Sequence, residues 1–388
     1  MVIIIISDNP KLSGRPFFIA ETMVRKGHEA HYLIWDSPYR INRKAFVKHL
    51  FTSLKTKEYK LSSVTVHKIG RLPYYWPYVN GLLFKYQVKK LYKKVGADLI
   101  YAATYTNETE VPKKLPFIYD LADDYSAPGD LYGSLIYKLA FKLLDVKGTM
   151  KRQCQNSLAV TAISDILVNY AKQYNNVVIK LPSAIEKETV KKILQNPSIY
   201  SSNDYSFIYI SIFGQWSRPI ETMQAVLELR KEFPEIDLIL IGPGVEVENI
   251  KMFIKNNDAE EFIHYLGPIY NRTTVFTYIK QSSIGLSASI KDKFRDAANS
   301  VKVLEYSVMG KKVVSTNLAE VESLHFPNIF TFSDTKKGSG LKNTMREALL
   351  YKTTNNEFKD ISDYVLREYN WDKLTDDLLD LIKKVNKQ

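Results

Sequence analysis

The chain has 388 residues, 45% of them hydrophobic and 25% charged, which suits a soluble globular protein of two domains and excludes a disordered one. A single cysteine, Cys154, excludes an internal disulfide framework and a thiolate metal site within one chain, and points to a reducing cytosol. The net charge is +12, and residues 1–180 carry the whole excess, with 27 Lys and Arg against 14 Asp and Glu; a basic half of this kind either serves solubility or meets an anionic partner, whether a membrane surface, a lipid phosphate or nucleic acid.

In chain order, Val2 to Ile6 reads as a buried strand, Gly14 to Lys26 as a helix and Glu29 to Trp35 as the next strand. The first apolar run is far shorter than a signal core. No segment approaches about 18 apolar residues, so the expectation is a cytoplasmic protein, peripheral to the membrane at most. Lys44 to Lys57 and Val79 to Val95 place apolar residues at helical spacing amid lysines, either as crossover helices or as interfacial membrane helices, with the aromatic loop Leu72 to Tyr78 between them. Strands at Asp98 to Ala102, Pro116 to Leu121, Leu158 to Ile163 and Val177 to Leu181 complete an alternating series, the pattern of a parallel sheet with crossover helices.

From Ser183 to Asp204 the sequence turns polar, and a linker is expected at 186–204. A second series follows, with strands at Phe207 to Phe213, Ile236 to Ile241, Phe262 to Leu266, Ile284 to Ser287, Lys312 to Ser315 and Ile329 to Phe332. Ile361 to Lys387 reads as a long amphipathic helix or helix pair. The expected organisation is therefore a first domain over 1–185, a second over 205–360, and a C-terminal helix over 361–388 that packs back on the first.

The strongest local signal lies at 299–316. Asn299 or Ser300 caps a helix that Gly310 ends, and a Val-Val strand follows. The start of such a helix offers backbone N–H groups and a positive dipole end to a diphosphate, here with Val301 in the first turn. Lys302 and Glu305 stand three apart on one face: Lys302 can neutralise phosphate and Glu305 can accept from a ribose diol, or the two can form a surface ion pair.

This segment resembles the donor-binding segment of GT-B glycosyltransferases of family 4, in which two Glu residues precede small residues, Gly-Lys-Pro and a Val-Val strand. Glu305 matches the second Glu; the first falls at Ala297, with Asp296 beside it as the candidate substitute. Phe213-Gly214-Gln215-Trp216-Ser217-Arg218 resembles the family's Gly-Arg loop, with Arg218 at the basic position that holds the diphosphate and Gln215 in place of the usual Arg. Leu238 to Gly244 is similar to the family's Ile-Val-Gly-x-Gly turn, which places Gly242 and Gly244 beside the donor, and the segment after Tyr265 makes Pro268, Ile269 and Tyr270 candidate base contacts. In the first half, Gly14 lies where the family has a Gly-rich loop facing the reacting sugar. Asp120, Asp123 and Asp124 stand where many relatives carry a His near the anomeric carbon, as groups that could bond a sugar hydroxyl or take the acceptor's proton, or as loop hydrogen-bonding residues.

The resemblance implies an α/β protein of two Rossmann-like domains facing each other across a cleft: a retaining glycosyltransferase that passes a hexose-type sugar from a UDP- or GDP-linked donor to a glycan or lipid-linked acceptor. No cofactor is expected, and no metal, because no Asp-x-Asp site is evident and Arg218 and Lys302 can meet the leaving diphosphate. The rival readings are a nucleotide-sugar epimerase on the same fold and a basic nucleic-acid-binding module; against the latter stands the lack of any helix-turn-helix, RRM or zinc pattern. A nicotinamide site and a P-loop are excluded by the absence of their glycine signatures.

Overall fold

The computed structural model describes residues 1–8, 14–36, 56–70, 77–126, 142–196, 204–333, 339–352 and 357–386. The chain forms two compact units, one of Met1–Pro182 with Leu374–Gln388 and one of Ser183–Lys373.

The first unit runs β1 (Val2–Ser7), α1 (Arg15–Arg25), β2 (Glu29–Asp36), β3 (Lys57–Leu61), β4 (Val64–Gly70), α2 (Pro77–Val95), β5 (Leu99–Ala103), β6 (Phe117–Leu121), α3 (Val146–Asn156), β7 (Ala159–Ala162), α4 (Asp165–Lys172) and β8 (Val178–Lys180). Its sheet has the order β3-β4-β2-β1-β5-β6-β7-β8, parallel except for the β3–β4 pair. Crossover helices cover both faces of such a sheet, so its inner strands are apolar throughout rather than alternating. Ile3 to Ile6 and all of β5 and β6 are buried, Asp120 among them.

Lys57, expected to end a helix, instead opens β3, and residues 44–55 of that predicted helix lie outside the described residues, as do positions 72–76 of the aromatic loop. The β3–β4 hairpin was not expected from the sequence. Its turn is Ser62-Ser63, with Ser62 at φ 53°, a left-handed position that turn signals assign to Gly or Asn.

The second unit runs α5 (Lys187–Leu194), β9 (Ser206–Ile210), α6 (Pro219–Leu229), β10 (Asp237–Ile241), α7 (Val247–Asn256), β11 (Ile263–Tyr265), α8 (Arg272–Gln281), β12 (Ile284–Ser287), α9 (Lys293–Asp296), α10 (Val301–Val308), β13 (Lys312–Thr316), α11 (Ala319–Glu322), β14 (Ile329–Phe332), α12 (Ser339–Leu350) and α13 (Glu357–Glu368), before α14 (Trp371–Val385) returns the chain to the first unit. Its all-parallel sheet has the order β11-β10-β9-β12-β13-β14. The expected linker holds a helix, α5, packed on α8, where Lys280 Nζ donates to the carbonyls of Ile193 at 2.7 Å and Asn196 at 2.8 Å and so places a cation at the helix C-terminus. The return to the first unit begins at Leu374 rather than at Ile361, because α13 packs on α10 through Ile361 and Val365, and Ser362 Oγ donates to the Val308 carbonyl at 2.6 Å.

Candidate functional site

In an open parallel sheet, ligands gather beyond the carboxyl ends of the strands where the strand order reverses. In the second unit that point is β9, with β10 on one side and β12 on the other. Tyr306 of α10 braces it: the Ile210 amide donates to Tyr306 Oη at 3.2 Å, and the hydroxyl donates to the Leu286 carbonyl at 3.3 Å. Its ring lies on Gly285, where a Cβ would stand 2.2 Å from the ring, so only glycine permits this packing.

The loops after β9 and β10 fold onto each other at the same edge. The Phe213 amide donates to the Pro243 carbonyl at 2.7 Å, and the Glu246 amide returns to the Phe213 carbonyl at 3.0 Å. That approach decides Gly242 and Gly244, whose absent Cβ atoms would fall 1.7 Å from the Ser211 carbonyl oxygen and 2.0 Å from that of Phe213. At Gly214 a Cβ would strike the Trp216 ring at 2.5 Å. Trp216 stacks under the Arg295 guanidinium at 5.1 Å, and its carbonyl accepts from the Ile290 amide at 2.9 Å, which ties the β9 loop to the β12 loop. Gln215 is exposed. Arg218 takes a left-handed conformation, φ 48° and ψ 44°, immediately before Pro219 opens α6, an uncommon state for a side-chain-bearing residue and one that clusters at ligand sites.

Ser300 is the N-cap of α10, yet its side chain makes no capping bond; its hydroxyl lies 3.3 Å from that of Ser287. Two residues on, Lys302 Nζ reaches Ser211 Oγ at 3.5 Å, and burial lowers its pKa, opposed by the Glu305 carboxylate. Part of Lys302 still meets solvent, so the cation is crowded by protein without being sealed off. Glu305 is buried, and its carboxylate bonds Arg272 at the start of α8. Arg272 also donates to Glu186 at 2.8 Å. Burial alone would lower the Arg272 pKa, but Glu305 and Glu186 raise it, so the guanidinium stays charged between two carboxylates. Sequence reasoning missed Arg272, because its partners lie 33 and 86 positions away.

Other predicted residues stand apart. Asp296, the candidate substitute for the absent Glu, accepts from the Ala319 amide at 2.8 Å and lies 3.5 Å from Lys291 Nζ, so its carboxylate is turned to the start of α11. Ala297 is buried, and Asn299 Oδ1 accepts from the Ser183 amide at 3.3 Å. Pro268, Ile269 and Tyr270 lie in the loop after edge strand β11, followed by Asn271, the N-cap of α8, and then Arg272; Tyr270 is 82% exposed.

In the first unit, Gly14 is the N-cap of α1 at φ 110°, where only glycine is at ease. Arg15 beside it grips Asp120, with Nε to Oδ2 at 2.9 Å and Nη2 to Oδ1 at 3.1 Å, and also donates to the Pro182 carbonyl at 2.6 Å. Thr161 donates a further bond to Asp120 Oδ1 at 2.9 Å. Asp120, a predicted catalytic carboxylate, is thus enclosed and committed to a structural ion pair. Asp123, three residues beyond, is different: burial first, then Asp124, raise its pKa to about 7. Among the described residues no group of three or more His, Cys, Asp or Glu is placed to hold a metal ion, and no helix is long and apolar enough to cross a membrane.

No known protein-family model matches the chain, and no curated protein sequence matches it. Solved structures do. A glycosyltransferase from Rickettsia africae is 14% identical with a TM-score of 0.72, over 100% of this chain and 99% of its own. HepE from Anabaena, in complex with UDP, is 15% identical with a TM-score of 0.66, over 99% of this chain and 100% of its own. A UDP-forming trehalose-phosphate synthase from Burkholderia xenovorans is 15% identical with a TM-score of 0.67, over 100% of both chains. The likeness runs the whole length, and the chain has the GT-B fold of these glycosyltransferases.

Proposed function

From a chain with the GT-B fold, we propose a glycosyltransferase that takes a hexose-type sugar from a nucleotide diphosphate donor and passes it, with retention, to a glycan or lipid-linked acceptor. The observation that carries this reading is the convergence at the β9 switch point of Lys302, the Arg218 loop and the N-terminus of α10. Two cations and a helix start suit a diphosphate, and they stabilise the charge that grows on it as its bond to the anomeric carbon breaks. Glu305, oriented by Arg272, keeps lone pairs for the ribose hydroxyls, and Pro268 to Tyr270 lie in the loop that leads to Arg272, beside the base. HepE's complex with UDP lends support, since its fold is the same.

The first unit then receives the acceptor. Asp123, with a pKa of about 7, is the carboxylate suited to take the acceptor hydroxyl's proton near neutral pH. Arg218 and Lys302 supply the charge that a divalent ion supplies in other transferases, so the reading calls for no metal. The reading keeps the enzyme in the cytoplasm, and the basic first half is suited to the anionic membrane face as a surface partner; nucleic acid is not a partner in this reading.

The test is a panel of UDP- and GDP-sugars in thermal unfolding. One should stabilise the protein, by about 2.7 kcal/mol at a hundredfold excess over Kd, and its turnover should persist in EDTA. Stabilisation by none of them overturns the donor assignment, and loss of turnover in EDTA overturns metal independence.

A further inference from the structure

Near the amino ends of β12 and β13, three lysines each stand at the end of a helix. Lys280 Nζ donates to the carbonyls of Ile193, Leu194 and Asn196 at 2.7, 3.1 and 2.8 Å, at the C-terminal end of α5. Lys311 Nζ donates to the Lys280 carbonyl at 2.6 Å, in the last turn of α8, and Lys312 Nζ to the Tyr351 carbonyl at 3.3 Å, just past α12. Helix C-termini favour such cations. The lysines differ in how many N–H groups their places require.

An ammonium has three N–H donors and a neutral amine two. Lys280 uses three on carbonyls, so it keeps its proton although burial lowers its pKa. Lys311 uses one, so losing a proton leaves that bond in place and frees a lone pair. Burial first, and then the Lys280 charge, lower the Lys311 pKa to about 8, while Asp204 opposes them. Burial lowers the pKa of Lys312 as well, again opposed by Asp204. Of the neighbours Lys280 and Lys311, the second is therefore the one that gives up its proton, and an amine beside a retained cation is an activated nucleophile. Its backbone is fixed, since the Lys311 amide donates to the Tyr306 carbonyl at 3.1 Å and Asn328 Nδ2 donates to the Lys311 carbonyl at 2.7 Å. The side chain is half-buried, which leaves room for a small reagent.

We propose that Lys311 is an acylation site whose amine takes a small acyl group from an acyl phosphate. Nζ attacks the acyl carbon, a C–N bond forms, the C–O bond to phosphate breaks, phosphate departs with the electron pair, and Nζ releases one proton to water. The retained charge on Lys280 draws the anionic reagent, and does nothing for an uncharged acyl donor. The product is a neutral amide where a cation had stood at the C-terminal end of α8. Lys311 lies at the amino end of β13, the opposite end of a parallel sheet from the loop of Arg218 and the start of α10, so the site is separate from the donor reading.

The experiment treats the full chain with acetyl phosphate, to low conversion, from about pH 6 to about pH 10. The remaining amines are then capped in urea with deuterated acetic anhydride, and peptide mass spectrometry reads the light fraction at each lysine. At neutral pH Lys311 should react about tenfold faster than the exposed Lys89 and Lys255, its rate should level off above pH 8, and Lys280 should stay unmodified. Lys280→Met should slow Lys311 about fivefold at neutral pH, whereas Lys280→Arg, which keeps the charge, should hold the rate within about twofold. Should Lys280→Met fail to fold, the wild-type profile and Lys280→Arg still decide. The proposal is overturned if Lys311 reacts no faster than Lys89 and Lys255, if its rate keeps climbing to pH 10, if Lys280 is modified first, or if the preference persists in urea. Faster reaction with the uncharged thioester S,N-diacetylcysteamine than with acetyl phosphate would overturn the choice of acyl donor.

Discussion

Each unit sets an arginine against a carboxylate on one of its strands or helices, and the two pairs differ in what they leave open. In the first, Asp120 is wholly buried and receives three bonds from the Arg15 guanidinium and one from Thr161. In the second, Glu305 is bonded by one arm of Arg272, whose side chain remains 38% exposed and whose other arm holds Glu186. A carboxylate saturated by its own unit serves stability. One held from a single side is oriented and still able to accept from a ligand. Both residues are candidates by sequence position, and their surroundings separate them.

The largest expected effect breaks the first pair. Asp120→Asn leaves Arg15 charged and buried without its counterion, and should lower unfolding stability by about 3–5 kcal/mol in urea titrations; a loss below 1 kcal/mol would mean the pair is incidental. Against it, Glu305→Ala and Arg218→Ala should each cost about 2–4 kcal/mol in kcat/KM for the donor with a smaller change in stability. Wild-type kinetics in both would remove the site. The contrast sharpens at Arg272. Arg272→Met should raise the KM for the donor by roughly tenfold, about 1.4 kcal/mol, with kcat little changed, and Arg272→Lys should recover part of it; an unchanged KM would show that Glu305 needs no orienting partner.

The smallest effect is on pH dependence. Because the folded pKa of Asp123 is raised to about 7, the ionised base is gained as pH rises, so kcat/KM should climb through pH 7 and level off above it. The same shift means that the folded state holds a proton that the unfolded chain releases near its ordinary value of 3.8, so ionising Asp123 works against stability as pH rises toward 7. Asp123→Asn should flatten the limb; an unaltered limb assigns it to another group.

Much of the fold was legible in the sequence. Runs such as Val2 to Ile6 and Leu238 to Ile241 announce strands buried on both faces, and Gly310 after an apolar helix announces the turn into β13. The Ser62-Ser63 hairpin was not legible, since its turn lacks the residues that favour a left-handed backbone, nor was α5, which reads as polar linker until it packs on α8. The candidate site divides in the same way. Helical spacing puts Lys302 and Glu305 on one face, while their assignment to the donor, like that of Gly242 and Gly244, rests on the family resemblance; Arg272, with partners 33 and 86 positions away, was not legible.

The sequence by itself determined the alternation of strand and helix, the buried runs and the helix start at Ser300, because these depend on neighbours within a few residues. Only the tertiary structure decided what each charged side chain meets: that Asp120 belongs to Arg15, that Asp296 turns to Ala319, and that Arg272 joins Glu186 to Glu305. Spacing along the chain fixes which face a residue occupies. The energy of a charge is set by the groups around it in space, and here those groups arrive from 23 to 105 positions away.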